Sequence, residues 1–253
     1  MCYYVGGVGL IKDLMLYIII PTVLTTAAGY MINDHLDQGR DEVNQKKSRK
    51  INFGKGLYFY YVLFNLIALI LTFMDGIELF LVVLGIQIML WAYSKFLSSI
   101  ALIGNAVVAI LSCFTILIFY FSQTIVLQID NIWVALVAIF LVSMARELIK
   151  DNQDFEGDKA DGAQTLPIMT SKNFTHIFAD VFIFCNALFI AAWTFYDFYL
   201  NDVVATVYGM SIAVIGIVII IMGHVLNKTK RYGMMSNALK VYMFLGMIIL
   251  FYL

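Results

Sequence analysis

Eight apolar runs, most of them about twenty residues long, follow one another along this chain. A run of that length crosses a bilayer as one α-helix, whereas a strand of a membrane barrel needs only ~10 residues and alternates in polarity. Hydrophobic residues make up 62% of the sequence and charged residues 13%, which is more hydrophobic and less charged than soluble domains are. The sequence therefore predicts an all-α, polytopic membrane helical bundle that forms a single domain over residues 1–253. The predicted spans are residues 14–33, 56–74, 76–94, 100–122, 131–149, 174–196, 203–226 and 237–253.

The basic residues predict how the chain crosses the membrane. If the spans alternate in direction, the polar loops predicted at 34–55, 150–173 and 227–236 lie on the same side. The 95–99 loop lies on that side too, which then carries 15 of the 16 Lys and Arg residues when those at the adjoining helix ends are counted; only Lys12 lies opposite. Because Lys and Arg concentrate in cytoplasmic loops, we expect these loops to face the cytoplasm of a bacterial or archaeal cell. The sequence shows no basic patch with interleaved aromatic residues that could stack on bases, so we expect no nucleic acid as partner.

Two acidic stretches, residues 33–42 and 147–161, hold 10 of the 17 carboxylates. Each contains three aspartates spaced i, i+3, i+7, which a helix places on one face. Like charges at such spacing destabilise a helix by a few tenths of a kcal/mol per pair. A loop that needed only solubility would mix Ser, Asn and Lys instead. The aspartates are Asp34, Asp37 and Asp41 in the first stretch and Asp151, Asp154 and Asp158 in the second.

This pattern predicts a site for a hard divalent cation. Mg²⁺ prefers oxygen ligands and is commonly held by one or two carboxylates together with substrate phosphates. The repeating pattern of an EF-hand loop is absent, and zinc is disfavoured because no His or Cys partners these carboxylates. We therefore expect Mg²⁺ as cofactor and a diphosphate as ligand, bound between two stretches that face each other. The Asp37 and Asp154 carboxylates should then lie within roughly 15 Å of one another.

Basic side chains flank both acidic stretches. Residues 46–50 include Lys47 and Arg49, and the second stretch carries Arg146 and Lys150 one helical turn apart. Cations of both kinds form strong hydrogen bonds with phosphate oxygens. The 46–50 cluster equally suits anchoring to anionic lipid, and the two interpretations do not exclude each other.

Some predicted spans carry polar residues at depth. Such residues are often functional, but hydrogen bonds between helices account for many of them. His176 and Asp180 are one turn apart, and we interpret them as partners in a mutual hydrogen bond.

Together these features resemble the UbiA family of intramembrane prenyltransferases. The family's first motif, N-D-x-x-D-x-x-x-D, is met by Asn33, Asp34, Asp37 and Asp41. The second aspartate motif lies in RELIKDNQDFEGDKADGAQTLPI, residues 146–168, which is similar to that of the digeranylgeranylglyceryl phosphate synthase-like branch.

The resemblance implies Mg²⁺-assisted transfer of a prenyl group, geranylgeranyl in this branch, from a prenyl diphosphate to the hydroxyl of a prenylated glycerol phosphate. It implies nine helices around a cavity open to lipid, with Mg²⁺ bound by both aspartate motifs under a cytoplasmic cap. The implied metal ligands are Asp34, Asp37, Asp41, Asp151, Asp154 and Asp158. The implied catalytic residues are Asp34, Asp37, Asp154, Asp158 and Tyr93. The implied substrate-binding residues are Asn33, Lys47, Arg49, Asn105, Arg146 and Lys150.

The sequence departs from the family pattern in three places. It has eight predicted spans rather than nine, and the family's first helix has no counterpart. We therefore expect a chain extended upstream by about 20 apolar residues to be more stable or more active. Tyr93 is present, but Ser98 replaces the Lys that follows it in this branch. Residues 44–49 lack the proline found in the family.

Two other functions remain open at this point. A prenyltransferase with an aromatic acceptor, as in quinone biosynthesis, has the same composition. A divalent-cation transporter would also use acidic clusters, although transport sites lie near the bilayer midplane and both clusters are predicted at one membrane face. A CDP-alcohol phosphotransferase needs a D-G-x-x-A-R run, whereas residues 161–167 read DGAQTLP.

Overall fold

The computed structural model describes residues 12–44, 56–122, 132–199, 203–228 and 231–248. Every regular element in these ranges is a helix, which confirms the predicted all-α class. Helix α1 begins with a π-helical turn at Leu14–Ile19, and α4 ends with another at Tyr93–Leu97. The helices are α1 Leu14–Leu36, α2 Gln38–Val43, α3 Leu57–Asp75, α4 Ile77–Leu97, α5 Ile103–Phe121, α6 Ile132–Ala160, α7 Leu166–Met169, α8 Lys172–Tyr199, α9 Val203–Lys228 and α10 Tyr232–Ile248.

Seven of the described helices are long and apolar enough to cross a membrane, namely α1, α3, α4, α5, α6, α8 and α9. They correspond in order to the first seven predicted spans, and the predicted polytopic bundle is confirmed. The eighth predicted span, 237–253, overlaps α10, which begins earlier, at Tyr232. Residues 249–253 lie outside the described part of the chain, so the length of this last span stays a prediction.

The acidic stretches are largely helical, contrary to the loops predicted at 34–55 and 150–173. Helix α6 continues for eleven residues past the predicted end of its span, residue 149, and stops at Ala160. It ends because Gly162 adopts a left-handed φ of 75°. The amide of Ala163 then donates to the Asp158 carbonyl at 2.9 Å, and the amide of Gly162 donates to the Lys159 carbonyl at 3.3 Å, as in a Schellman cap. The loss of hydrophobicity therefore indicates where the membrane part of α6 ends, not where the helix ends.

The described chain forms two compact units. The first, here the N-terminal unit, comprises residues 2–99 and 113–128. The second, the C-terminal unit, comprises residues 100–112 and 129–253. Helix α5 contributes to both units, so the prediction of a single domain remains a prediction.

Each unit has its own apolar core. In the N-terminal unit α1 packs against α3 and α4, and the buried core includes Ile18, Leu79 and Ile118. In the C-terminal unit α8 lies between α6 and α9, and α10 packs on both α6 and α9. Its core includes Ile183 and Leu239. These cores fix the helices that carry the two acidic stretches.

Close packing of α8 against α9 depends on Gly209. A Cβ atom at this position would lie 1.8 Å from Cγ2 of the buried Thr194 side chain. We expect Gly209→Ala to push the two helices apart and to destabilise the protein by about 1–3 kcal/mol. Thermal unfolding in detergent measures the loss. The control is Gly85→Ala in α4, where no atom lies within 4 Å of the added carbon and where alanine favours the helix. Equal melting temperatures for Gly209→Ala and the wild type would contradict this packing.

Candidate active site

The first acidic stretch bends at Asp37, between α1 and α2. This residue has φ −87° and ψ 3°, outside the regular helical range. Even so, the amide of Asp37 donates to the Asn33 carbonyl and the amide of Asp41 donates to the Asp37 carbonyl, both at 2.9 Å. The amide of Asp37 closes the last turn of α1 and its carbonyl accepts the first hydrogen bond of α2. The shared face predicted for Asp34, Asp37 and Asp41 therefore stays a prediction.

Both carboxylate oxygens of Asp37 have side-chain partners. Asn33 Nδ2 donates to Asp37 Oδ2 at 2.7 Å, and Arg40 Nη1 lies 3.3 Å from Asp37 Oδ1. Arg40 in turn donates through Nη2 to Ser99 Oγ at 2.8 Å, which joins α2 to the residues that follow α4. The orientation of Asp37 is therefore set by its neighbours. Sequence reasoning missed Arg40, although a basic residue three positions after Asp37 was a local signal for such a pair.

The second acidic stretch lies on one uninterrupted helix. Asp151, Asp154 and Asp158 occupy the last three turns of α6, so the predicted shared face is confirmed for this stretch. Asp158 is buried, while Asp151 and Asp154 are half-buried. Glu147 lies four residues before Asp151 and extends the same face by one turn.

Glu147 pairs with both predicted phosphate-binding cations of α6. Its Oε1 contacts Arg146 Nη1, and its Oε2 lies 3.7 Å from Lys150 Nζ. The Glu147 side chain is buried, and the Arg146 Nε atom has no hydrogen-bond partner in the described chain. A guanidinium offers five donors, so the contact with Glu147 holds Arg146 in place and leaves it donors for an anion.

Asn105 contacts the second acidic stretch directly. Its Nδ2 donates to Asp151 Oδ2 at 2.9 Å, and its Oδ1 accepts the backbone N–H of Leu102 at 3.1 Å. Leu102 has a φ of 62°, which is strained for a branched residue. Ala101 donates its amide to the Gln164 carbonyl at 2.9 Å, which ties this turn to the residues after α6. Asn105 therefore positions a carboxylate. Its predicted contact with substrate stays a prediction.

Tyr93, the remaining predicted catalytic residue, begins the π-helical turn of α4 and is half-buried. Its carbonyl accepts the amide of Ser98 at 2.9 Å. Such turns are frequent at functional sites because they reorient one side chain within a helix. The side chain of Lys95, two residues after Tyr93, lies over the Trp91 ring, with its Nζ atom 5.1 Å from the ring centre. The predicted substrate-binding residues Lys47 and Arg49 lie outside the described part of the chain.

The donor set of both stretches fits Mg²⁺. In each, three aspartates offer carboxylate oxygen atoms, the ligands that Mg²⁺ prefers. His35 lies within the first stretch, but its ring packs edge-on against Tyr58, 5.7 Å between centres. Asn33 and Asn105 donate hydrogen bonds to carboxylates of these stretches, and Arg40 forms an ion pair with Asp37, so these nitrogen groups orient the carboxylates.

The sequence matches the model of the UbiA prenyltransferase family over residues 1–248. Over 202 residues it is 35% identical to digeranylgeranylglyceryl phosphate synthase of Pyrococcus horikoshii, which covers 74% of this chain and 72% of that protein.

Solved structures share the fold. A structure described as a digeranylgeranylglyceryl phosphate synthase in membranes aligns with a TM-score of 0.64 at 22% identity, covering 96% of this chain and 90% of the other. A UbiA homologue from Archaeoglobus fulgidus, bound to DMAPP and Mg²⁺, aligns with a TM-score of 0.63 at 14% identity and covers 95% of this chain and 88% of its own. Identities this low support the fold alone.

Proposed function

Because this chain belongs to the UbiA prenyltransferase family, we propose that it transfers a geranylgeranyl group from geranylgeranyl diphosphate to the hydroxyl of a prenylated glycerol phosphate. The observation that carries this proposal is the row of three aspartates on one face of α6, in which Asn105 holds Asp151 by a 2.9 Å hydrogen bond. The similarity to the Pyrococcus horikoshii synthase supports the glycerol phosphate acceptor. The chain is an integral multi-pass membrane protein. We propose that its active site faces the cytoplasm, as the distribution of basic residues predicts.

The two aspartate stretches would together hold Mg²⁺ and the diphosphate. Mg²⁺ supplies positive charge that stabilises the diphosphate as a leaving group, and the Archaeoglobus fulgidus homologue, which has the same fold, was solved with DMAPP and Mg²⁺ bound. The proposed ligands are Asp34, Asp37, Asp41, Asp151, Asp154 and Asp158.

The basic and aromatic side chains would assist the same step. Arg146 and Lys150, held one turn apart by Glu147, would donate hydrogen bonds to phosphate oxygens. As the C1–O bond of the prenyl diphosphate breaks, its electron pair stays on the diphosphate. The acceptor hydroxyl forms the new bond to C1, and its proton is released to water, so the products are the ether, free diphosphate and one proton. Apolar and aromatic walls keep water from competing for C1, and Tyr93 is proposed to contribute to them.

The experiment that tests the function uses the full chain in lipid nanodiscs. The protein is given labelled geranylgeranyl diphosphate, Mg²⁺ and either a prenylated glycerol phosphate or an aromatic acid as acceptor, and the labelled product is identified by mass spectrometry. We expect an ether product with the glycerol phosphate. A product with the aromatic acid alone would replace the proposed acceptor, and release of free diphosphate without any prenylated product would contradict prenyl transfer.

Asn105 provides a specific test of the proposed metal site. Asn105→Ala removes the hydrogen bond that orients Asp151, and loss of such a supporting contact typically costs 10–100-fold in metal affinity. We expect the Mg²⁺ concentration for half-maximal turnover to rise by about 10-fold or more. The control is Ser112→Ala, which removes a hydroxyl that bonds the Val108 carbonyl on the same helix. An unchanged Mg²⁺ requirement in Asn105→Ala would show that the hydrogen bond serves folding alone.

A further inference from the structure

A second group of ionisable side chains lies in the C-terminal unit, on α8 and α9. His176 and Asp180 are one turn apart near the start of α8, and His224 is near the end of α9. The Nε2 atoms of both histidines lie 3.7 Å from Asp180 Oδ2, and the two imidazole rings are 5.8 Å apart. The whole sequence contains three histidines, so this group uses two of them.

The buried members of this group lack hydrogen bonds. His176 is 0% exposed and Asp180 is 8% exposed. Both ring nitrogens of His176 and both oxygens of Asp180 are buried without a hydrogen-bond partner in the described chain. The prediction of a hydrogen bond between His176 and Asp180 is therefore wrong, because the 3.7 Å between His176 Nε2 and Asp180 Oδ2 is too long for one. The backbone at Gly223 interacts with the His176 ring but does not reach hydrogen-bond geometry.

Unpaired polar atoms at this depth are costly. A buried polar group without a partner costs roughly 1–3 kcal/mol, and a charged one costs more. Nearly all such groups in proteins are paired with protein or with a bound species. His176 Nε2 and Asp180 Oδ2 are buried without a hydrogen-bond partner in the described chain and lie 3.7 Å apart, which indicates that a ligand completes the cluster.

The geometry of the three side chains selects a transition metal ion. One donor atom from each of them can be chosen so that all lie within 4.8 Å of one another. Around tetrahedral zinc, with bonds of 2.0–2.1 Å, neighbouring ligand atoms are separated by about 3.3 Å. The two 3.7 Å separations exceed this by a few tenths of an ångström. Two imidazoles and one carboxylate suit Zn²⁺, whereas Mg²⁺ favours oxygen donors alone.

The cluster is also accessible to an ion. The His224 side chain is 59% exposed, so one edge of the site is open while His176 and Asp180 lie beneath it. Three protein ligands with an open side leave a fourth position for water, as zinc sites permit.

We propose that His176, Asp180 and His224 bind a Zn²⁺ ion that joins α8 to α9. The site is separate in sequence and in ligand chemistry from the aspartate stretches. His176 is four residues after Lys172, the first residue of α8. The Lys172 carbonyl accepts a 2.9 Å hydrogen bond from Asn152 Nδ2 on α6. Bound zinc therefore stabilises the helix that contacts the second acidic stretch.

Zinc binding is measured on the full chain in nanodiscs, purified without a polyhistidine tag and stripped with a chelator. Excess Mg²⁺ is present so that zinc does not bind at the aspartate stretches. Isothermal titration with ZnCl₂ is expected to show one site, and Co²⁺ in its place is expected to give the visible absorption of a low-symmetry nitrogen and oxygen site. Zinc is also expected to raise the melting temperature, because a ligand of the native state stabilises it.

Three variants decide the assignment. His224→Ala changes an exposed side chain and should leave the fold intact, yet it is expected to weaken zinc binding by at least ~10–100-fold, the typical cost of losing even a group that only supports a ligand. Asp180→Asn is expected to do the same. The control, His35→Gln, changes the third histidine and should leave the affinity unchanged. Zinc binding that is equally tight in His224→Ala and Asp180→Asn, or no binding by the wild type, would overturn the proposal.

Discussion

Asp154→Ala and Asp37→Ala are each expected to lower prenyl transfer by at least ~10²–10³-fold, the effect of removing one group that stabilises charge in a transition state. Asp154 lies on the aspartate face of α6, and Asp37 is the residue at the bend between α1 and α2 whose carboxylate is oriented by Asn33 and Arg40. Both are proposed to hold Mg²⁺ against the diphosphate. Turnover is measured with labelled geranylgeranyl diphosphate at saturating Mg²⁺.

The matched controls remove a carboxylate from the same helices, at positions that are not among the proposed Mg²⁺ ligands. Glu156→Ala changes a side chain of α6 that is 70% exposed and whose contact with Lys172 Nζ is 3.9 Å long, a surface pair that contributes little. Glu42→Ala changes an exposed residue of α2. Turnover should stay near the wild-type level in both controls. Near wild-type turnover in Asp154→Ala or in Asp37→Ala would remove that aspartate from the proposed site.

The melting temperatures separate a functional role from a structural one. If the aspartates are crowded in order to bind a cation, removing one relieves like-charge repulsion of a few tenths of a kcal/mol per pair. Metal-free Asp154→Ala should then be at least as stable as the metal-free wild type. A lower melting temperature in the absence of metal would mean that the carboxylate supports the fold instead.

The helices were predictable because membrane spans carry a strong local signal. Uninterrupted apolar runs identified seven helices in order. The same signal misplaced the end of α6, since hydrophobicity reports burial in lipid whereas the helix ends at the left-handed Gly162. The spacing of Asp151, Asp154 and Asp158 predicted one face correctly because α6 continues through all three residues.

Contacts between distant parts of the chain were not predictable from local patterns. Asn105 and Asp151 are 46 positions apart, and their hydrogen bond depends on the turn at Leu102, whose positive φ has no sequence signature because leucine rarely adopts it. His176 and Asp180 were expected to bond each other from their spacing alone. His224 comes from another helix, and only the packing of α8 against α9 brings it to the same carboxylate.

Arg40 and Glu147 were missed for a different reason. Both had local signals, since Arg40 is three residues after Asp37 and Glu147 is three residues before Lys150. The sequence reasoning sought groups that bind metal or phosphate and passed over their counter-charges. In the structure these counter-charges orient the very residues that were sought, because a buried or half-buried ion needs an opposite charge beside it.

Removal of Mg²⁺ is expected to reduce turnover to the background rate. Six carboxylates concentrated in two stretches cannot stabilise a departing diphosphate by themselves, because they repel it. Dialysis against EDTA should abolish transfer, and Mg²⁺ should restore it in full. Ca²⁺ should restore less, because its oxygen ligands lie at 2.3–2.6 Å and its coordination is looser than the octahedral shell of Mg²⁺.

EDTA also removes zinc, so the order of re-addition matters. Mg²⁺ alone should restore the rate per folded molecule, whereas Zn²⁺ alone should raise the melting temperature through His176, Asp180 and His224 without restoring transfer. The His224→Ala variant should respond to Mg²⁺ like the wild type and should no longer be stabilised by Zn²⁺. Transfer that persists in EDTA would contradict the magnesium requirement, and transfer restored by Zn²⁺ but not by Mg²⁺ would mean that the aspartate stretches hold a different ion.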